Sequence, residues 1–142
     1  LPIYNSIDSK IIEHVRSLEN LMYPENMQML QDIATVEDLQ DYLEGQEVVV
    51  VTGDRWYCII AVHPGHLEVA DLAGSLNIAE LKQLFQLIKG IANGRQIEAD
   101  LRKSTSWRLI QFAVKKNRVQ IVSEESWWWD SEEMVCTRFL CN

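Results

Sequence analysis

Cysteine is scarce in this chain and odd in number. Cys58, Cys136 and Cys141 have no spacing that suits a metal or a disulfide framework. Reduced thiols in a cytosolic setting are the expectation. Long apolar runs are missing too. None approaches the roughly 20 residues that a membrane-spanning helix needs, so no membrane partner is expected. Positive charge is in deficit: Lys and Arg number 13 against 21 Asp and Glu, a formal net charge of −8. That argues against a sequence-independent nucleic-acid binder, which needs a basic stripe. It suits a cationic partner, or plain solubility. With 6 Gly and 3 Pro the chain has no linker, repeat or low-complexity stretch. No signal-peptide pattern is visible, and Leu1 is read as the start of a processed or trimmed product.

What is present is a core. Apolar residues make up 47% of 142 residues, enough for a single packed domain spanning 1–142. Pro2 to Ile7 reads as a short strand. Asp8 caps a helix carrying Ile11, Val15, Leu18 and Met22, and Pro24 stops it. Thr35 and Asp38 form a capping pair for a second helix with Val36, Leu39 and Leu43 on one face, ended by Gly45. The period then changes to two. Glu47 to Thr52, Arg55 to Val62 and His66 to Leu72 read as a three-strand meander turned at Gly53-Asp54 and His63-Pro64-Gly65.

Asn77 and Glu80 give the next capping signal. Leu81, Leu84, Phe85, Ile88 and Ile91 follow at helical spacing until Asn93-Gly94. Arg95 to Leu101 alternates as a strand. Ser104, Thr105 or Ser106 caps a fourth helix carrying Leu109, Ile110, Ala113 and Val114 and ending in Lys115-Lys116. Arg118 to Glu125 and Glu133 to Leu140 close the chain as strands joined through a tryptophan-bearing connection. The order β-α-α-β-β-β-α-β-α-β-β predicts an α/β (α+β) three-layer fold, with a mixed sheet of about seven strands and four helices.

That order resembles the GCN5-related N-acetyltransferase (GNAT) fold, and several stretches resemble it locally. Leu18-Glu19 followed by Met22-Tyr23-Pro24-Glu25 is similar to the end of the family's first helix. Glu68-Val69-Ala70-Asp71-Leu72 resembles its fourth strand, along which the pantetheine arm of acetyl-CoA lies. Ile97 to Leu101, then Ser104 and Trp107-Arg108-Leu109, resembles the fifth strand and following helix. Val119 to Glu125 and Met134 to Leu140 resemble the closing hairpin.

The chain departs from the family in two places. The family joins its fourth strand to the next helix through a Q/R-x-x-G-x-G/A loop, whose backbone N–H groups cradle the CoA pyrophosphate. Here the stretch is Ala73-Gly74-Ser75-Leu76-Asn77, with one glycine and no arginine. The family also often carries a tyrosine after Arg-Leu on the fourth helix, as a general acid for the departing thiolate. This chain has Arg108-Leu109-Ile110, and isoleucine has no proton to give.

The resemblance implies two competing functions. One is a non-catalytic protein on this fold, a binding or assembly component with an eroded acetyl-CoA site. The resemblance extends to phage-type relatives, including internal virion proteins of short-tailed phages, which look like acetyltransferases with the cofactor loop eroded. A protein partner is then expected, in the host cytoplasm or the virion. The other is a working N-acetyltransferase. Acetyl-CoA would lie against Val69, Ala70, Leu72 and Gly74, with its diphosphate at Gly74, Ser75 and Asn77. Asp71 or Glu68 would take a proton from an amine acceptor, and a backbone N–H of the fourth strand would hold the oxyanion.

Other residues invite chemistry and have simpler explanations. Glu98 and Asp100, like Glu68 and Asp71, could serve as bases or be outward strand positions with no task. His63 and His66 lack a third ligand, so no metal site is expected. Cys58, mid-strand with no partner base, reads as a buried thiol. Trp127, Trp128 and Trp129 cannot all enter one core from a strand. They are read as a partner surface or a cap on the sheet edge, and Trp56 and Trp107 as core.

Overall fold

In the computed structural model of the chain, residues 1–22, 36–104 and 106–142 are described. The Pro24 stop, the Thr35 cap and Thr105 lie outside them, as does the family-like Tyr23-Pro24-Glu25. So do the side chains of Met22, Val36 and Leu39. The elements run β1 (Ile3–Tyr4), α1 (Ser9–Met22), α2 (Val36–Leu43), β2 (Glu47–Thr52), β3 (Trp56–Val62), β4 (His66–Gly74), α3 (Ile78–Ala92), β5 (Gln96–Arg102), α4 (Ser106–Lys115), β6 (Val119–Trp129) and β7 (Glu132–Cys141). The strands form one seven-stranded sheet in the order β1-β2-β3-β4-β5-β7-β6. It is mixed. β4 and β5 are parallel, joined through α3 as the crossover, while β2–β3, β5–β7 and β6–β7 are antiparallel. Over the described residues the predicted order of elements is the observed one.

The chain divides into two compact units: Leu1–Val62 with Ala70–Leu81, and His63–Val69 with Lys82–Asn142. In the first, Asp8 Oδ1 accepts the Ile11 N–H at 3.0 Å and starts α1 as expected. That helix sends Ile11, Ile12, Val15 and Leu18 into a core shared with Leu43, Val48, Val50, Tyr57, Ile59 and Ala61. Val48–Val51 and Trp56–Ala61 are buried residue after residue. Strands covered on both faces read as continuous apolar runs, without polar alternation. The first strand is shorter than predicted: the ladder with β2 pairs Ile3 with Val51 and Tyr4 with Val50, and Pro2 adds a carbonyl that accepts the Thr52 N–H at 3.1 Å.

Gly53 turns β2 into β3. Its N–H donates to the Trp56 carbonyl at 2.9 Å, and a Cβ at this position would overlap the Trp56 indole nitrogen. The Gly53-Asp54 turn signal thus has a packing reason beyond backbone freedom.

In the second unit, β5 alternates as expected: Ile97, Ala99 and Leu101 are buried while Gln96, Glu98 and Asp100 are not. Ile110 and Ala113 of α4 are buried, as are Val119, Val135 and Phe139 of the hairpin strands. Val114, expected on the apolar face of α4, is exposed. Asn93 and Gly94 both take left-handed φ, 48° and 85°, and end α3.

Thr137 is fully buried, and its Oγ1 has no hydrogen-bond partner among the described residues. An unpaired buried hydroxyl costs more than a methyl of the same shape. Thr137→Val is therefore expected to raise stability by about 1 kcal/mol, read as a higher urea midpoint with unchanged slope.

Candidate functional site

The β4–α3 junction is shorter than the sequence implies. β4 continues through Ala73 and Gly74, where φ is 105° at the glycine, and α3 begins at Ile78, so the connection is Ser75–Asn77 alone. Two of its three backbone donors, those of Ser75 and Asn77, are engaged by the protein. The Ser75 N–H donates to the Arg55 carbonyl at 3.0 Å. Asn77 and Glu80 form the predicted capping box. The Asn77 N–H donates to Glu80 Oε1 at 3.1 Å, and the Glu80 N–H to Asn77 Oδ1 at 2.8 Å. The second Glu80 oxygen accepts the Trp56 indole N–H at 2.6 Å. One carboxylate thus sits at the helix start, held on both oxygens, where the dipole favours negative charge. Trp56, fully buried as expected, fixes it from β3.

Sequence reasoning finds the capping box but not its tie to Trp56. The two residues are 24 apart, and no local pattern links them.

Each of the four candidate bases accepts a hydrogen bond from the protein. Asp71 Oδ2 receives the Tyr57 hydroxyl at 2.7 Å, within the first unit. In the second unit, Glu68 Oε1 lies 3.0 Å from His63 Nε2. Glu98 Oε2 receives Arg138 Nε at 3.2 Å, and Asp100 Oδ1 receives the Trp127 indole N–H at 3.0 Å. Asp71 and Glu68, the sequence candidates, are therefore positioned by different partners in different units, Tyr57 for one and His63 for the other. Val69, Ala70 and Leu72 are half-buried on β4, while Gly74, Ser75 and Asn77 are exposed. The β4–β5 ladder covers His66–Val69 against Gln96–Ala99.

His63 and His66 stack at 4.6 Å between ring centroids. Among the described residues no group of three or more His, Cys, Asp or Glu side chains is arranged to hold a metal ion. On α4, Ile110 is buried and presents no acid group. Trp107 is not core as expected. It is half-buried, with its indole N–H 3.3 Å from Glu124 Oε1 and the Lys103 ammonium over its ring. An α4 position beside the polar outer strand β6 keeps it at the surface.

The tryptophan run also departs from expectation. Trp127–Trp129 are the last residues of β6, paired with Met134, Glu133 and Glu132, and the chain turns only at Asp130, with φ 54°, and Ser131. Aromatic residues favour the pleated conformation, so the strand absorbs the connection. Trp127 is half-buried; Trp128 and Trp129 are 65% and 47% exposed.

Burial, aided by the Asp71 charge, pushes the Cys58 thiol far above its ordinary range. Burial and then the Asp100 and Glu98 charges raise Cys136, and burial raises Cys141. Thiolate is the reacting form. Iodoacetamide at pH 8 is therefore expected to modify Cys136 and Cys141 slowly and to leave Cys58 untouched until denaturant is added, as read by mass spectrometry.

No protein-family model matches the sequence, and no curated protein matches it. Solved structures do. The ribosomal-protein-S18-alanine N-acetyltransferase of Escherichia coli superposes with a TM-score of 0.63 at 10% identity, over 99% of this chain and 92% of its own. A putative GNAT-family acetyltransferase from Bacteroides thetaiotaomicron gives 0.59 at 13%, over 100% and 88%. The chain has the GNAT fold. A putative acetyltransferase from Salmonella typhimurium, solved with its cofactor acetyl-CoA, gives 0.59 at 11% over 99% of this chain and 92% of its own. Likeness at this identity covers the GNAT fold and its order of elements, which is what the sequence predicts.

Proposed function

We propose that this protein keeps the GNAT fold as a non-catalytic binding or assembly component, with an eroded acetyl-CoA site. The Glu80 carboxylate carries the proposal. A diphosphate at the start of α3 needs free N–H groups and positive potential. Here the N–H groups of Ser75, Asn77 and Glu80 are already donated, and Glu80 brings its own negative charge to that point. The residues at the junction do not fit a CoA pyrophosphate. Each candidate base is likewise engaged by a protein donor. A phage-encoded protein working in the host cytoplasm or the virion is part of this proposal.

The second reading is an acetyl-CoA-dependent N-acetyltransferase acting on an amine. It is favoured by the Tyr57 hydroxyl, which holds the Asp71 carboxylate of β4 at 2.7 Å. Asp71 would be its base and Tyr57 the group that positions it.

Thermal unfolding with millimolar acetyl-CoA decides between them. A ligand binding only the native state at about 100 times its Kd adds roughly 2.7 kcal/mol. No shift in Tm is expected. A clear upward shift overturns the proposal in favour of the enzyme.

A further inference from the structure

Among the described residues, no strand pairs with the outer edge of β6. The strand ends the sheet order, is 11 residues long and pairs with β7 on one side only among the described residues. A free edge offers a row of backbone N–H and C=O groups to an added strand. A register shift between Ile121 and Ser123 separates the tip from the inner half of the strand. Beyond that shift, side chains alternate between faces. Glu125, Trp127 and Trp129 take one face, and Glu124 and Trp128 the other.

The tip is built for a cationic occupant. Trp127 and Trp129 meet at 86° with centroids 6.4 Å apart, two walls of an aromatic corner, and Asp100 fixes the Trp127 indole. Trp128 and Trp129 expose large ring areas. Aromatic faces attract ammonium and guanidinium groups. The surrounding charges are mostly negative. Glu124 and Glu125 lie exposed on the strand, and Asp130, Glu132 and Glu133 stand around its end. Lys103 offsets Glu133 at 3.1 Å, while Arg138 is taken by Glu98. A second copy of this chain would bring the same carboxylates and another net charge of −8, which opposes pairing of like edges.

We infer that the β6 edge over Ser123–Trp129 accepts an extended, lysine- or arginine-bearing segment of another protein as an added strand, with its cations over the tryptophan faces. The inference rests on the binding-protein proposal above. The two fail separately, since the acetyl-CoA measurement does not involve β6.

The test uses a fluorescein-labelled peptide of alternating lysine and valine, about ten residues long, titrated with the full chain and followed by anisotropy. A glutamate–valine peptide and a fully N-methylated lysine–valine peptide serve as controls. The lysine–valine peptide is expected to bind saturably, and the glutamate peptide not to bind. N-methylation, which removes the donors of a strand, is expected to weaken binding roughly tenfold or more, as are Trp128→Ala and Trp129→Ala. Both tryptophans are exposed, so circular dichroism is expected to show both variants folded.

Absence of binding overturns the inference. Equal binding of the N-methylated peptide reduces it to charge attraction and overturns strand addition. Unchanged binding by both tryptophan variants places the contact elsewhere and overturns it too. A dimer in sedimentation that either variant dissolves makes the occupant a second copy, with the same consequence.

Discussion

Trp56→Ala is expected to destabilise the protein by about 3–5 kcal/mol, the range for removing a fully buried large aromatic side chain. Three contributions meet at this residue. Its ring is wholly buried. Its indole nitrogen lies against Gly53, so a void would open under the β2–β3 turn. Its N–H satisfies the Glu80 oxygen that the capping box leaves over. Trp56→Phe separates these, because it keeps most of the ring and removes the donor. It is expected to cost about 1.5–3 kcal/mol, the range for a hydrogen bond to a charged group. Glu80→Ala removes both the cap and the indole acceptor and is expected to cost about 0.5–2 kcal/mol. The double variant Trp56→Phe with Glu80→Ala should then cost less than the two singles together, because both remove the same bond. Urea unfolding of the four proteins measures this. Strict additivity would mean that Trp56 and Glu80 act independently, and their coupling at the start of α3 would be refuted.

The contrast between Trp56 and Glu80 shows how far sequence reading reaches. Periodicity and caps are local, so β5, α3 and the Asn77–Glu80 box are legible residue by residue. The order of elements is enough to reach the GNAT fold, although structures that share it have only 7–13% identity with this chain. What joins Glu80 to Trp56, Asp71 to Tyr57 or Trp127 to Asp100 is tertiary, and no spacing encodes it. The end of β6 escapes sequence reading for a related reason. Three tryptophans in a row look like a connection when exposed apolar residues are assumed to need a loop. The register with β7 shows that an edge strand can carry them on alternating faces. The shortness of the β4–α3 junction is legible, but the engaged N–H groups of Ser75 and Asn77 and the Glu80 carboxylate held on both oxygens are not, and that carboxylate carries the functional proposal.

Arg95→Ala is expected to cost about 2–3 kcal/mol, from the loss of several charge-assisted bonds at a half-buried site. In the sequence Arg95 reads as the first residue of a strand. In the structure its guanidinium closes the end of α3. Nε donates to the Ala92 carbonyl at 2.9 Å and Nη2 to the Ile91 carbonyl at 2.7 Å, while Nη1 reaches the His63 carbonyl at 2.8 Å. A cation is favourable at this helix end because the last carbonyls carry the negative pole of the dipole. The bond to His63 couples that end to the turn that starts β4, beside the stacked His63 and His66 rings and the His63–Glu68 contact. Lysine keeps the charge but not the planar fork, so Arg95→Lys can hold only part of this set and is expected to recover less than half of the loss. Amide hydrogen exchange gives the sharper measurement. Protection should fall in the last turn of α3 and across His63–His66 in the alanine variant, with the β6–β7 hairpin unchanged. Loss of protection confined to the helix end would mean that the His63 bond contributes nothing, and the coupling between the helix and the turn would be withdrawn.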